Sequence, residues 1–274
     1  GPRFQKLAKS LDPSRETLAN MFTFDDLLSR TIDVQGFSHE PREPLDECHA
    51  RLPNKPIIAS ECCSCNSMRN EVAGCETTED NPKGNCTELS FNARCTEKLT
   101  NASDGASYAL GTMVWTLFDY YGEPPSPGDS FVGTYGQFDV AGFPKAAAAW
   151  YRTQWLLGVA DGHGKPFATH GRHEVHLVET WEAPPLGPSA RRVIHPYSSA
   201  PVAELVVNGR SLGARNVSLM TQGPGSYAEW VGVAWEAGEL AAIALDARGS
   251  EVARATRDTT GPPAVLKLTL DAPS

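Results

Sequence analysis

Glu61 closes the stretch Lys55-Pro-Ile-Ile-Ala-Ser-Glu61, where a carboxylate could serve as a nucleophile or as a general acid or base. Pro56 opens the stretch, Ile57, Ile58 and Ala59 read as a short strand covered on both faces, and Ser60-Glu61 falls where that strand emerges. In a barrel of alternating strands and helices, chemistry collects at the carboxyl ends of the strands, so Glu61 is a candidate catalytic group at the mouth of a pocket. A helix cap or a surface glutamate would read the same way, and Glu61 needs company to decide. The run Gly111-Thr-Met-Val-Trp-Thr-Leu-Phe-Asp-Tyr-Tyr-Gly-Glu-Pro124 supplies an aromatic and acidic cluster at the end of a second apolar strand. Trp115 there is an aromatic platform or a core residue. Asp119 and Glu123 could bond hydroxyls or order the loop Pro124-Pro-Ser-Pro127.

The elements that position these residues alternate. Residues 4–11 carry apolar positions at helical spacing and stop at Asp12-Pro13. Thr17 to Phe22 reads as a strand, Phe24 to Arg30 as a helix and Ile32 to Phe37 as the next strand. Pro41 to Pro53 reads as a loop or broken helix before the Glu61 strand. Ser107 to Tyr121 reads as a short helix and a final strand, and an alanine-rich helix fills much of Gly133 to Trp155. Gly158 to Gly171 reads as a linker. Short alternating runs follow: Glu174–Val178, Arg192–Ile194, Ala203–Val207, Ala228–Trp235, Leu240–Leu245 and Ala264–Leu270. Their length and spacing predict an antiparallel β-sandwich, with Asn208-Gly209 as a tight hairpin turn.

Four runs in order resemble glycoside hydrolase family 2, the β-galactosidase and β-glucuronidase group. They are Leu11-Asp-Pro-Ser-Arg15, Asp33-Val-Gln-Gly-Phe-Ser-His39, Lys55 to Glu61 and Val114 to Pro124. Tyr135-Gly-Gln-Phe-Asp-Val-Ala-Gly-Phe-Pro-Lys145, Trp150-Tyr151 and Trp155 are similar to the segment that follows in that family. Val206-Val-Asn-Gly-Arg-Ser-Leu-Gly213 and Trp181 resemble its immunoglobulin-like domain. The resemblance implies an α/β fold, a partial (β/α)8 TIM barrel comprising the last four strands (1–158), followed by an all-β immunoglobulin-like sandwich (172–274). It implies Glu61 as nucleophile, Trp115 as the floor under a sugar ring, and His39, Asp119 and Tyr120 as residues that hold hydroxyls. His39 departs from the family, where a tyrosine often touches the nucleophile.

Cys62, Cys63, Cys65, Cys75, Cys86 and Cys95 crowd an insertion at about 62–97, which reads as a disulfide-stapled loop on the catalytic face. The chain has seven cysteines, so one is left over, and Cys48 is the expected free thiol. The spacing lacks the paired Cys-x-x-Cys of a zinc site. His163, His170, His173 and His176 fit no metal pattern and read as solvated loop residues. The sequons at Asn85, Asn101 and Asn216, together with the cysteines, predict a glycoprotein of the secretory pathway, secreted or lysosomal. No signal peptide is evident. A net charge of −9 disfavours nucleic-acid partners, and no apolar run is long enough to span a membrane. Composition is 41% apolar, enough to build a core.

The function the resemblance implies is retaining hydrolysis of terminal β-glycosides, β-galactoside first, without a cofactor or metal. The family's acid/base glutamate follows an asparagine upstream of Leu11, and no such pair is present there. The only Asn-Glu in the chain is Asn70-Glu71, inside the cysteine segment. An N-terminal half, from the same gene product or an associated chain, is therefore the expected partner beside the carbohydrate. β-Glucuronide and β-mannoside are alternative substrates. A non-catalytic carbohydrate-binding or structural protein on a degenerate scaffold is the rival class, and a disulfide-stapled interaction module is a third.

Overall fold

The computed structural model describes residues 1–21, 24, 26–38, 42–63, 65, 67, 69, 75–77, 85–86, 108–122, 131–156, 173–184, 187, 189–217 and 227–269. In chain order the elements are α1 (Pro2–Leu11), β1 (Leu18–Met21), α2 (Leu27–Thr31), β2 (Val34–Ser38), α3 (Arg42–Arg51), β3 (Ile57–Cys63), β4 (Cys75–Thr77), β5 (Asn85–Cys86) and β6 (Ala109–Trp115). Then come β7 (Tyr120–Tyr121), β8 (Val132–Gly133), α4 (Ala146–Leu156), β9 (Val175–His176), β10 (Arg191–Ile194), β11 (Tyr197–Ser198), β12 (Val202–Val207), β13 (Arg210–Asn216), β14 (Trp230–Ala234), β15 (Glu239–Leu245) and β16 (Glu251–Asp258).

Strands β1, β2, β3 and β6 form a parallel sheet in that order. Parallel neighbours need crossover connections, and α2 and α3 supply the first two. Asp26 caps α2 by accepting the Ser29 N–H at 2.8 Å. The stretch read as a loop or broken helix is the ten-residue α3. Pro44 falls in its first turn, where proline is tolerated, and tertiary contact then decides the matter. Leu45 and Cys48 from α3 are fully buried against Phe37 of β2 and Ile57 of β3. Cys48 is a free thiol, as expected, and burial raises its pKa to about 11.

The later part of the chain is antiparallel. One sheet runs β13-β12-β15-β16, and another joins β14 to β10. Asn208 and Gly209 have φ of 49° and 76°, the left-handed pair that a two-residue turn between β12 and β13 requires. The core is built on Trp181, Trp230, Leu205 and Leu240. Trp181 donates its indole N–H to the Glu236 carbonyl at 3.0 Å, so its polar edge is satisfied. A second cluster joins Trp150 and Tyr151 of α4 to Val178 and Tyr197.

Besides α3, further features depart from the sequence reading: no helix lies within the described residues 108–122, and β16 forms outside the predicted strands. Residues 264–269 pair with no strand among the described residues, and Val265, Leu266 and Leu268 are exposed. Alternation alone does not make a strand without an edge to bond. Conversely, β4 from the cysteine insertion pairs antiparallel with β10, opposing Cys75 to Val193, Glu76 to Arg192 and Thr77 to Arg191. The insertion thus extends a sheet of the antiparallel region.

Candidate active site on the parallel sheet

Glu61 lies on β3, between β2 and β6. Phe37 of β2 faces Ala59 while Ser38 faces Glu61, so β3 holds one extra residue at Ser60. The pairing with β6 slips over the same stretch, from Ala59 opposite Thr112 to Cys62 opposite Val114. Such a bulge re-aims the side chains beside it. A Cβ added to Gly36 would stand 2.4 Å from the Ser60 hydroxyl oxygen and 2.7 Å from the Ala19 carbonyl oxygen, so only glycine lets the bulged strand approach. Glu61 is partly buried and accepts a hydrogen bond at 2.8 Å from the Asn20 side-chain amide of β1.

Trp115, at the end of β6, is in register with Cys63, two residues beyond Glu61. Its side chain is 38% exposed, as a platform requires and a core residue does not. The peptide bond to Thr116 is cis. The indole N–H donates to the Tyr120 hydroxyl at 3.3 Å, with the rings edge to face at 6.0 Å. Tyr120 also meets the Tyr135 ring at 6.5 Å. Trp115, Tyr120 and Tyr135 therefore form one aromatic wall on the sheet's carboxyl side.

Asp119 is otherwise engaged. Its carboxylate pairs with Lys145 at 2.6 Å and accepts the Gly136 N–H at 2.8 Å. Lys145 is 2% exposed, and its ammonium also donates to the Ser67 carbonyl at 2.6 Å and the Thr134 carbonyl at 3.1 Å. Asp119 is thus tied to the 134–145 segment, and the loop Pro124-Pro-Ser-Pro127 lies outside the described residues. Ser67 opens the cysteine insertion, and its N–H donates to Thr134 at 3.0 Å, so the insertion is anchored beside the aromatic wall. Arg69 adds an ion pair to Asp139 at 2.9 Å and lies over the Phe143 ring at 4.6 Å. Cys62 and Cys65 are disulfide-bonded.

His39, Glu123, Glu71 and Asn101 lie outside the described residues, as do His163 and His170. Asn85 has its backbone in β5, and Asn216 is exposed at the end of β13. Among the described residues no group of three or more His, Cys, Asp or Glu is placed to hold a metal ion, and no helix is long and apolar enough to cross a membrane. The sequence reading missed Asn20 and gave Lys145 no role. An asparagine inside a short strand run was a signal for the first, and a lysine closing an apolar motif for the second.

Residues 192–253 match a family described as a domain of unknown function, DUF4982. The chain is 28% identical over 292 residues to β-galactosidase BoGH2A of Bacteroides ovatus, covering 96% of this chain and 31% of that protein. It is 32% identical over 170 residues to a putative β-glucuronidase of Formosa agariphila, covering 58% of this chain and 14% of that protein. Among solved structures, a β-glycosidase from Bacteroides vulgatus superposes with a TM-score of 0.71 at 20% identity, over 95% of this chain and 34% of that one. A β-glucuronidase from glycoside hydrolase family 2 superposes with a TM-score of 0.66 at 21% identity, over 96% of this chain and 26% of that one. The chain is thus similar in sequence along nearly its whole length to a β-galactosidase, shares its fold with solved β-glycosidases and β-glucuronidases, and spans about a third of the length of the β-galactosidase it matches.

Proposed function

We propose that this chain carries the nucleophile half of a retaining β-glycosidase, with β-galactosides as the first substrate to test. The observation that carries the reading is Glu61 on a bulged parallel strand, hydrogen-bonded by Asn20 and followed two residues on, across the sheet, by the half-exposed Trp115. A Glu61 carboxylate oxygen bonds to the anomeric carbon as the bond to the leaving oxygen breaks. The departing electron pair stays on that oxygen, which takes a proton from a second carboxylic acid about 5 Å from the first. Water then attacks the anomeric carbon, gives a proton back to that second carboxylate and releases Glu61. Trp115 stacks on the sugar ring. Tyr120 and His39 bond its hydroxyls.

The four parallel strands are the later half of a (β/α)8 barrel, and the second carboxyl group comes from an N-terminal half. Supporting this, Leu18 on β1 and Leu110 and Met113 on β6 are exposed along the two edge strands, apolar surface that a completed barrel would cover. The antiparallel region is an immunoglobulin-like scaffold, and the cysteine insertion is a stapled wall of the cleft. Sequons and cysteines support passage through the secretory pathway.

The test is mass spectrometry of the full native protein after incubation with 2-deoxy-2-fluoro-β-galactosyl fluoride, followed by peptide mapping. An adduct on Glu61 is the expected result. No adduct with the galactosyl, glucuronyl or mannosyl reagent overturns the catalytic reading in favour of a binding role.

A further inference from the structure

Asn20 and Glu61 are not on neighbouring strands. Asn20 of β1 is opposite Gly36 of β2, and Glu61 of β3 is opposite Ser38, so their hydrogen bond passes over the whole of β2. Residues in register on parallel strands share a face, as do residues two apart, so Asn20, Gly36, Ser38 and Glu61 lie on one face of the sheet. Next-nearest strands stand about 9.6 Å apart, and two side chains can bridge that gap only if the residues between them are small. Gly36 has no side chain and Ser38 has a short one, and the group packed over Gly36 is the small Ser60 hydroxyl, so no bulky side chain separates Asn20 from Glu61.

From this we infer that Asn20 is a positioning residue for Glu61, setting the carboxylate's orientation before it attacks the sugar. The inference rests on the proposed glycosidase reading. A primary amide suits the task for two reasons. It donates to a carboxylate without itself titrating, so it holds its partner at every working pH. It is also neutral, so it directs one carboxylate oxygen without the strong charge pairing by which a cation would withdraw the nucleophile's electron density. A displacement needs the reacting atoms in line within a few tenths of an ångström, and a freely rotating glutamate spends little time there.

The test uses the full native protein with Asn20 intact, with Asn20→Ala and with Asn20→Asp. Two readouts are followed: the rate of adduct formation on Glu61 and the pH profile of kcat/KM. Asn20→Ala should form the adduct about tenfold more slowly, the effect of one hydrogen bond to a charged group. Asn20→Asp should bring a new ionisation into the pH profile and displace its acid limb by about one unit or more, because two carboxylates at hydrogen-bond distance share a proton. A purely structural asparagine would not move that limb. Adduct formation by Asn20→Ala at the unaltered protein's rate, or an unchanged profile for Asn20→Asp, overturns the positioning role while leaving the glycosidase reading intact. An unaltered protein that forms no adduct overturns the glycosidase reading itself, and this role with it. Should Asn20→Ala fail to fold, the near-isosteric Asn20→Asp carries the test alone.

Discussion

Lys145 is an ammonium group buried almost completely beside an aspartate, with two carbonyl oxygens as further partners. Such a pair stabilises little relative to an apolar replacement, but breaking it strands a charge. Lys145→Met should therefore lower unfolding free energy by about 3–5 kcal/mol, measured by urea denaturation, and Lys145→Met with Asp119→Leu should recover much of that loss. An additive double variant would show that the two groups do not act together. Cys48 lies at the same scale of argument. The thiolate is the reactive form, and burial holds the thiol protonated. Iodoacetamide should leave Cys48 unmodified in the folded protein at neutral pH and modify it in urea, as read by peptide mass spectrometry.

Among elements, β2 and β4 matter most. Gly36 in β2 is the point where the sheet has no room to spare, with the Ser60 hydroxyl and the Ala19 carbonyl both inside contact distance of an added methyl group. Gly36→Ala should cost about 1–3 kcal/mol through overpacking and should slow adduct formation at Glu61, although residue 36 touches no sugar. The β4 strand makes a different point. Its ladder with β10 opposes Glu76 to Arg192, and proline at position 76 removes a backbone donor and the local geometry that pairing needs. Glu76→Pro should raise amide hydrogen exchange at residues 191–193 while β12 and β15 keep their protection. Unchanged exchange at 191–193 would mean that β4 is not held by this sheet in solution.

The whole molecule should respond to pH through the contact between its two regions. His176 is partly buried and stacks beside Tyr197, which itself packs with Trp150 and Tyr151 of α4. Burial, then the Arg257 charge, depresses the His176 pKa from 6.5 to about 4, with Glu179 acting weakly the other way. Below 6.5 the unfolded chain takes up a proton there that the folded protein refuses down to about 4. Stability should thus fall as pH drops across that window. Glu179 adds to the loss at lower pH. Burial opposes its ionisation, yet the adjacent His195 outweighs burial and holds its pKa below the usual carboxylate value. That contribution is present above the unfolded pKa and is lost as the folded one is passed. Melting temperatures taken between pH 4 and 7 should slope upward, and His176→Phe should flatten the slope.

Sequence by itself determined the strand that bears Glu61, the parallel order of the first region, the Asn-Gly hairpin and most short strands of the second, though not β16, and it placed a strand at Ala264–Leu270 where none forms among the described residues. Each is written locally, in apolar runs of strand length, in turn residues that accept left-handed backbone, and in motifs compact enough to recognise. An odd cysteine count required at least one unpaired thiol within the chain, and Cys48, upstream of the insertion, is a free one. Tertiary structure decided the rest. Whether Arg42–Arg51 would be a helix depended on Leu45 and Cys48 finding Phe37 and Ile57. Only the fold could show that Asp119 is engaged by Lys145, or that Asn20 reaches Glu61, since 26 and 41 residues of chain separate these partners. The cysteine insertion's docking on β10 was invisible for the same reason. Such contacts arise from strand register, bulges and the room that small residues leave, and none of these is a property of a residue's neighbours in sequence.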